Sequence, residues 1–241
     1  MAKTLPFQNA FSTENFQDRT EDMKDYIFFD LDGTLTDSEP GIIDSLNVMT
    51  THFGITRTRE ELRPFLGPAL WDSCPKYLGF NKEQTEEAVR VYREHYFSTG
   101  IYNNKLYDGV LSLLKTLKES GRHLIVATGK PEEQANIVCN YFDIAKYFDF
   151  IAGSTLDVSR SKKGQVIEYA LKNCNLTEND KNRIIMVGDR DNDINGAHQN
   201  GIKVVSVLYG YGNREEFAQA GTDYVCETVE DLQELLLHKS L

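Results

Sequence analysis

The stretch that most constrains this chain is the apolar run Tyr26–Phe29 together with the segment directly behind it, Asp30-Leu31-Asp32-Gly33-Thr34. A short run of aromatic and branched residues predicts a buried strand. A buried strand that ends in two carboxylates needs partners for their charge. In extended backbone, residues i and i+2 share a face, so Asp30 and Asp32 can converge on one point. Gly33 permits a sharp turn or a close approach of backbone to a ligand. Two readings fit this stretch alone. One is a nucleophile and an acid/base held beside a hard cation; the other is a strand running into an acidic turn, because Asp-Gly is ordinary turn chemistry.

Beyond Thr36 the pattern becomes helical. Ile42, Ile43, Leu46, Met49 and Phe53 recur at intervals of three and four, and Gly54 follows as a stop. Short helices are expected over 60–66 and 71–78, and a charged amphipathic one over 81–96. No strand pattern interrupts residues 38–104, which predicts an all-helical module inserted straight after the acidic strand. Trp71 and the tyrosines of this module are read as core.

From Tyr107 onward strand and helix alternate. Strands are expected over 123–127, 148–152, 183–187, 203–207 and 224–226, with helices between them and Pro131 as the first residue of one. Repeated strand–helix units imply a parallel sheet with helices on both faces, hence an α/β, Rossmann-like core. In such sheets the ligand sits outside the carboxyl ends of the strands, where the strand order reverses.

The chain has 241 residues, enough for a sizeable core, and carries a formal net charge of −11. Such a surface repels polyanions, so a nucleic acid polymer is not an expected partner. No apolar run approaches the roughly 20 residues that span a bilayer, and no membrane partner is expected. Residues 1–23 are polar and acidic, lack the apolar stretch of a signal peptide, and are expected to be an extension outside the fold, a candidate disordered segment. Cys74, Cys139, Cys174 and Cys226 are widely spaced, without Cys-x-x-Cys or a histidine at ligand spacing. Reduced thiols in a cytoplasmic protein are expected, and no zinc site.

The polar residues gather at the strand ends. Asp30 and Asp32 close the first strand; Thr128-Gly129 offers a hydroxyl and backbone N–H groups at an expected helix start, suited to a phosphate. Lys163 opens another helix, with Lys162 as its alternative. Gly188-Asp189 ends a further strand, with Asp191 and Asp193 close behind. A calcium loop counted from Asp189 fails, since its sharp-turn position is Ile194 and its twelfth is Asn200. Gly210-Tyr211-Gly212 lacks the third glycine of a dinucleotide fingerprint. The histidines form no cluster.

Taken together and in this order, Asp-x-Asp-Gly-Thr at 30–34, Thr128, Lys163 and Gly-Asp-x-x-x-Asp at 188–193 resemble the haloacid dehalogenase-like hydrolase superfamily. The likeness runs from about residue 24 to the C-terminus. Asp37-Ser38, Phe65-Leu66-Gly67-Pro68, Tyr107-Asp108-Gly109-Val110 and Tyr209-Gly210-Tyr211-Gly212 look most like its phosphoglycolate phosphatase-like group, whose members include enzymes acting on nucleoside monophosphates. Many relatives have Lys-Pro where this chain has Lys163-Gly164; spacing to Val166 and Ile167 favours Lys163 over Lys162.

The resemblance implies a Rossmann-like core over 24–37 and 105–241 with a helical cap over 38–104. It implies a phosphatase of small phosphorylated metabolites, with Asp30 as nucleophile and Asp32 as acid/base. Thr128, Gly129 and Lys163 would bind the phosphate. Mg²⁺ would be held by Asp30, the Asp32 carbonyl and Asp189, with Asp193 holding a metal water or Lys163. Arg63 and the turn at Gly67 are expected to set selectivity, and the protein to be a monomer or weak homodimer. A β-phosphoglucomutase-like phosphotransferase, which also keeps the second acid, is the alternative enzyme. A receiver-like phospho-acceptor module is the non-enzymatic alternative; Asp32 and the insert argue against it.

Overall fold

The computed structural model describes residues 25–238; the expectation for residues 1–23 lies outside them. The chain enters through β1 (Tyr26–Phe29) and, after a tight loop, β2 (Thr36–Asp37). Helices α1 (Glu39–His52), α2 (Arg59–Leu62), α3 (Leu70–Ser73) and α4 (Lys82–Ser98) follow before β3 (Lys105–Leu106). Then come α5 (Val110–Glu119), β4 (His123–Pro131), α6 (Glu132–Tyr141), β5 (Phe150–Ser154) and α7 (Lys163–Asn173). The chain ends with β6 (Ile184–Gly188), α8 (Asp191–Gln199), β7 (Lys203–Val207), α9 (Arg214–Ala220), β8 (Tyr224–Cys226) and α10 (Val229–His238).

Six strands form one parallel sheet in the order β5-β4-β1-β6-β7-β8. β1 lies at its centre, with Phe29 in register with Val126 on one side and Val187 on the other. Side chains alternate across the sheet. Ile27 and Phe29 pack with Leu113 and Leu117 of α5, Val138 of α6 and Leu232 of α10. Phe28 points the other way, into a cluster with Val166 and Ile167 of α7, Ile194 of α8 and Phe217 of α9. Each such fully buried side chain contributes about 1.5–3 kcal/mol. The chain builds outward from β1 to β4 and β5, then returns to lay β6 on the other side. That reversal leaves a crevice beyond the C-terminal ends of β1, β4 and β6.

Between β2 and β3 the regular elements are helical. The outgoing and returning strands pair antiparallel, Thr36 with Leu106 and Asp37 with Lys105, so one short ribbon carries both connections. The helices have their own apolar cluster, including Leu46, Met49, Leu62, Phe65, Phe80 and Ala88. Capping boxes start α2, from Thr58 and Glu61, and α4, from Asn81 and Gln84. Among the described residues no helix is long and apolar enough to cross a membrane.

One local expectation fails. Pro131 is not the first residue of α6; it ends β4 with φ −52° and ψ 135°, in register with Ser154 of β5. The β4–β5 register shifts between Ala127 and Pro131. Thr128 and Gly129 therefore lie on the irregular end of a strand rather than at a helix start. The extended ψ of Pro131 is what delays the helix by that residue.

Candidate active site

Asp30 is the last residue tied to the sheet, its N–H donating to Val187 O at 2.9 Å. Its carboxylate turns back on the following backbone, where Oδ1 accepts the Leu31 N–H at 2.7 Å. The chain then folds tightly, with the Leu31 carbonyl accepting from the Leu35 and Thr36 amides, each at 2.9 Å. Gly33 sits in the left-handed region at φ +82°, and a Cβ there would overlap the Asp189 carboxylate. Glycine is needed on both counts.

Asp189 follows β6 and is fully buried. Thr34 Oγ1 donates to its Oδ1 at 3.1 Å, and the Tyr211 N–H to its Oδ2 at 2.8 Å. The Tyr-Gly-Tyr-Gly loop after β7 thus holds Asp189 from above; a Cβ at Gly210 would collide with Gly33 and Asp189. The Tyr211 hydroxyl accepts the Ser38 N–H at 2.9 Å, tying that loop to the start of the helical segment.

Lys163, the first residue of α7, reaches the same point from beneath. Its Nζ is 2.9 Å from Asp30 Oδ2 and 2.7 Å from Asp193 Oδ1, and it donates to Ala127 O at 3.1 Å. The competing Lys162 lies outside the helix proper and makes none of these contacts. Asp193 also accepts the Asp189 and Arg190 amides on Oδ2, both at 3.1 Å, so it fixes both the lysine and the acidic loop. The Thr128 hydroxyl accepts the Lys130 N–H at 3.2 Å, and its polarity favours the charged form of the neighbouring Asp30 carboxyl.

The charges do not balance. Burial pushes the Asp30 carboxyl up to about 6, against the opposing pull of Lys163. Burial, with the negative charges of Asp193 and Asp30, drives Asp189 well above the carboxylate range. For Lys163 burial works against its charge, but Asp193 and Asp30 outweigh it and raise its pKa. Asp30, Asp189 and Asp193 can each bring an oxygen to within 4.8 Å of the others, all three being buried. With Lys163 as the cation among them, these carboxylates fit a hard, oxygen-seeking divalent ion such as Mg²⁺.

Asp32 is held by a residue that sequence reasoning missed. Lys130 Nζ donates to both Asp32 oxygens, at 3.0 and 2.8 Å, and to the Tyr96 hydroxyl of α4 at 2.6 Å. The lysine side chain is only 3% exposed. The available signal was a lysine closing an apolar strand, which demands a buried partner.

These groups open on a cavity of about 570 Å³. Asp30, Asp32, Thr128, Gly129 and Lys163 form part of its floor, while Gly67, Trp71, Tyr92 and Tyr96 of the helical segment form part of its roof. Trp71 and Tyr92 thus face the cavity, and because Tyr92 also packs against the apolar clusters, the core reading holds for it only in part. Arg63 is not among the lining residues; its guanidinium is 3.7 Å from Glu39, which also pairs with Arg59 at 2.9 Å. Arg63 precedes Pro64 in a 3₁₀ turn, which turns it toward the start of α1.

A family model described as haloacid dehalogenase-like hydrolase matches residues 27–207. The chain belongs to the haloacid dehalogenase-like hydrolases. The match runs from within β1 to the end of β7 and takes in Asp30, Asp32, Thr128, Lys163, Asp189 and Asp193 of this hydrolase. A predicted phosphatase from Clostridium acetobutylicum superposes with a TM-score of 0.86 at 39% identity, covering 90% of this chain and 100% of that one. A Pseudomonas aeruginosa protein named 5'-nucleotidase is 35% identical over 211 residues, 87% of this chain and 94% of the relative. The tyrosine-protein kinase PtkA of Mycobacterium tuberculosis is 37% identical over 214 residues, 87% of this chain and 72% of the relative.

Proposed function

We propose that this haloacid dehalogenase-like hydrolase is a Mg²⁺-dependent phosphatase of small phosphomonoesters, working through an aspartyl-phosphate on Asp30. The observation that carries the reading is the meeting of Asp30, Thr128 and Lys163 on one cavity wall, with Asp32 beside them. The name of one relative, 5'-nucleotidase, favours a nucleoside monophosphate as substrate, and the resemblance to the phosphoglycolate phosphatase-like group favours a short acid phosphate. In domain terms, residues 24–37 and 105–241 act as the core and 38–104 as a cap over the substrate. A cytoplasmic monomer or weak homodimer fits this role.

The steps follow from the side chains. An Asp30 oxygen forms a bond to phosphorus while the bond from phosphorus to the ester oxygen breaks, and protonated Asp32 gives its proton to that oxygen. Asp32, now a carboxylate, takes a proton from the water that attacks phosphorus; the bond to Asp30 breaks and phosphate leaves. Thr128, the Gly129 N–H and Lys163 hold the non-bridging oxygens, where charge builds. Asp193 keeps Lys163 in place. The Asp30 and Asp189 carboxylates and the Asp32 carbonyl would hold Mg²⁺, which when bound offsets repulsion between the carboxylates and a phosphate dianion. Lys130 orients Asp32.

The test is phosphate release by purified protein with Mg²⁺ from a panel of nucleoside monophosphates, sugar phosphates and glycolate phosphate. Turnover of at least one, absent in Asp30→Asn, is the expected result. Interconversion of sugar phosphates without phosphate release would replace this reading with the mutase one. Phosphate release that survives in Asp30→Asn would overturn the covalent route.

A further inference from the structure

Arg190 stands between the two acids of the β6–α8 loop, and the chemistry above gives it no part. Its backbone belongs to the acidic centre, since its N–H donates to Asp193 Oδ2 at 3.1 Å. Its side chain leaves that centre and crosses to the helical segment, where Nη1 donates to the Leu66 carbonyl. Nε meanwhile donates to Glu216 Oε1 of α9 at 2.8 Å, and the same oxygen accepts the Asp191 N–H at 2.8 Å. Glu216 thus aims the guanidinium and braces the loop that carries it. The Arg190 and Glu216 side chains are 17% and 19% exposed, so neither is a freely solvated surface group.

The far end of this contact is the turn that roofs the cavity. Gly67 has φ +100°, and a Cβ added there would come within 3.1 Å of Arg190 Cγ and 3.2 Å of Nη1. The turn has the left-handed backbone and the missing side chain that let the arginine lie flat against it. Gly67, Pro68, Ala69, Leu70 and Trp71 then continue along the cavity wall.

We propose that Arg190, aimed by Glu216, is a positioning residue that docks the turn at Leu66-Gly67 onto the acidic loop. It thereby fixes the cavity roof relative to Asp189. Where the substrate is concerned, this rests on the phosphatase reading. Docking sets how well a large leaving group is held, and matters little to a small ester that fills only the floor.

Arg190→Met keeps the stem against Gly67 and removes the donors. The pair Arg190→Met with Glu216→Gln also removes the carboxylate left behind, so a fault due only to an unpaired Glu216 is separated from loss of docking. Hydrogen–deuterium exchange of a peptide covering residues 62–73, on protein without substrate, reads the docking directly. A charge-assisted hydrogen bond of about 1.5–3 kcal/mol corresponds to about ten- to hundredfold faster exchange by local opening, expected in both variants. With substrates, kcat/KM for the largest ester of the panel that is turned over should fall through KM by about tenfold, while the smallest changes less than threefold.

Unchanged exchange in Arg190→Met overturns the proposal, as does recovery of wild-type exchange in the double variant. An equal loss on both esters also overturns it, since it would assign Arg190 to the acidic centre itself. Absence of phosphatase activity in wild type would sink the phosphatase reading and leave the exchange result to judge the docking alone.

Discussion

Lys130→Met is the most informative single change, because it removes the cation from Asp32 and leaves the volume nearly filled. In the native protein Lys130 Nζ lies 2.8 and 3.0 Å from the two Asp32 oxygens, with the Tyr96 hydroxyl at 2.6 Å as its third acceptor. The Asp32 side chain is 17% exposed, so water recovers part of what the lysine supplied. Breaking a buried pair costs about 3–5 kcal/mol; this partial exposure points to the lower end for stability. The effect on turnover has a separate bound. A positioned acid/base contributes about 10²–10⁴-fold, and an Asp32 free to rotate keeps some of that, so kcat should fall by about ten- to a hundredfold. The loss must depend on the leaving group. An alkyl phosphate needs its departing oxygen protonated, whereas p-nitrophenolate leaves without help. Steady-state kcat for both esters at saturating Mg²⁺, on protein shown to be folded by circular dichroism, gives the comparison. An equal loss on both esters, or none on the alkyl ester, would refute the role of Lys130 as the group that orients Asp32.

Three further outcomes are expected. Chelation should abolish turnover and Mg²⁺ restore it, with Ca²⁺ a poor substitute because its looser, higher coordination lets a second Asp30 oxygen bind metal rather than attack; full activity in metal-free buffer would contradict the assignment of Asp30 and Asp189. In metal-free protein the Asp30 carboxyl is raised from 3.8 to about 6, so the folded state binds the extra proton between those values, and this group destabilises the fold above about pH 6 and less as pH falls toward 3.8. The rise in melting temperature on adding Mg²⁺ should accordingly be largest above pH 7 and shrink below about 6, where protons compete for the same oxygens; a pH-independent rise would count against it. Trp71→Ala should reorder kcat/KM across the substrate panel, while Arg63→Ala, which loses an ion pair to Glu39 on a half-exposed side chain, should leave the order unchanged and cost less than about 1 kcal/mol of stability.

The contrast between those two residues shows what the sequence could and could not convey. Asp30, Lys163, Asp189 and Asp193 were legible because each is a charged residue at the end of an apolar strand or the start of a helix, where the direction of a parallel sheet alone brings them to one side. The strand–helix alternation made the α/β class legible in the same way. Lys130 escaped notice because its meaning lies in contacts 98 and 34 residues away, with Asp32 and Tyr96. Arg190 escaped for the same reason, its partner carbonyl being 124 residues distant. At Arg63 and Pro131 the structure departs from what local pattern suggests. The first was expected to help set selectivity, but a 3₁₀ turn directs it to Glu39 and off the cavity lining. The second is a good helix opener that β5 instead retains as strand. For Trp71 and Tyr92, hydrophobicity could not distinguish a core from a cavity roof, since both are built from the same side chains.

If Asp30 carries the phosphoryl group, Asp32→Asn is the variant in which that group accumulates. Asparagine cannot take the proton from the attacking water, so the phosphorylated enzyme should persist while esters with good leaving groups can still load it. Rapid acid quench after mixing with p-nitrophenyl phosphate and Mg²⁺, followed by peptide mass spectrometry, should find one phosphoryl group on the peptide containing Asp30, labile to hydroxylamine and absent from Asp30→Asn. A phosphoryl group on any other residue, or none at a time when p-nitrophenol has been released in amounts equal to enzyme, would rule out Asp30 as the nucleophile.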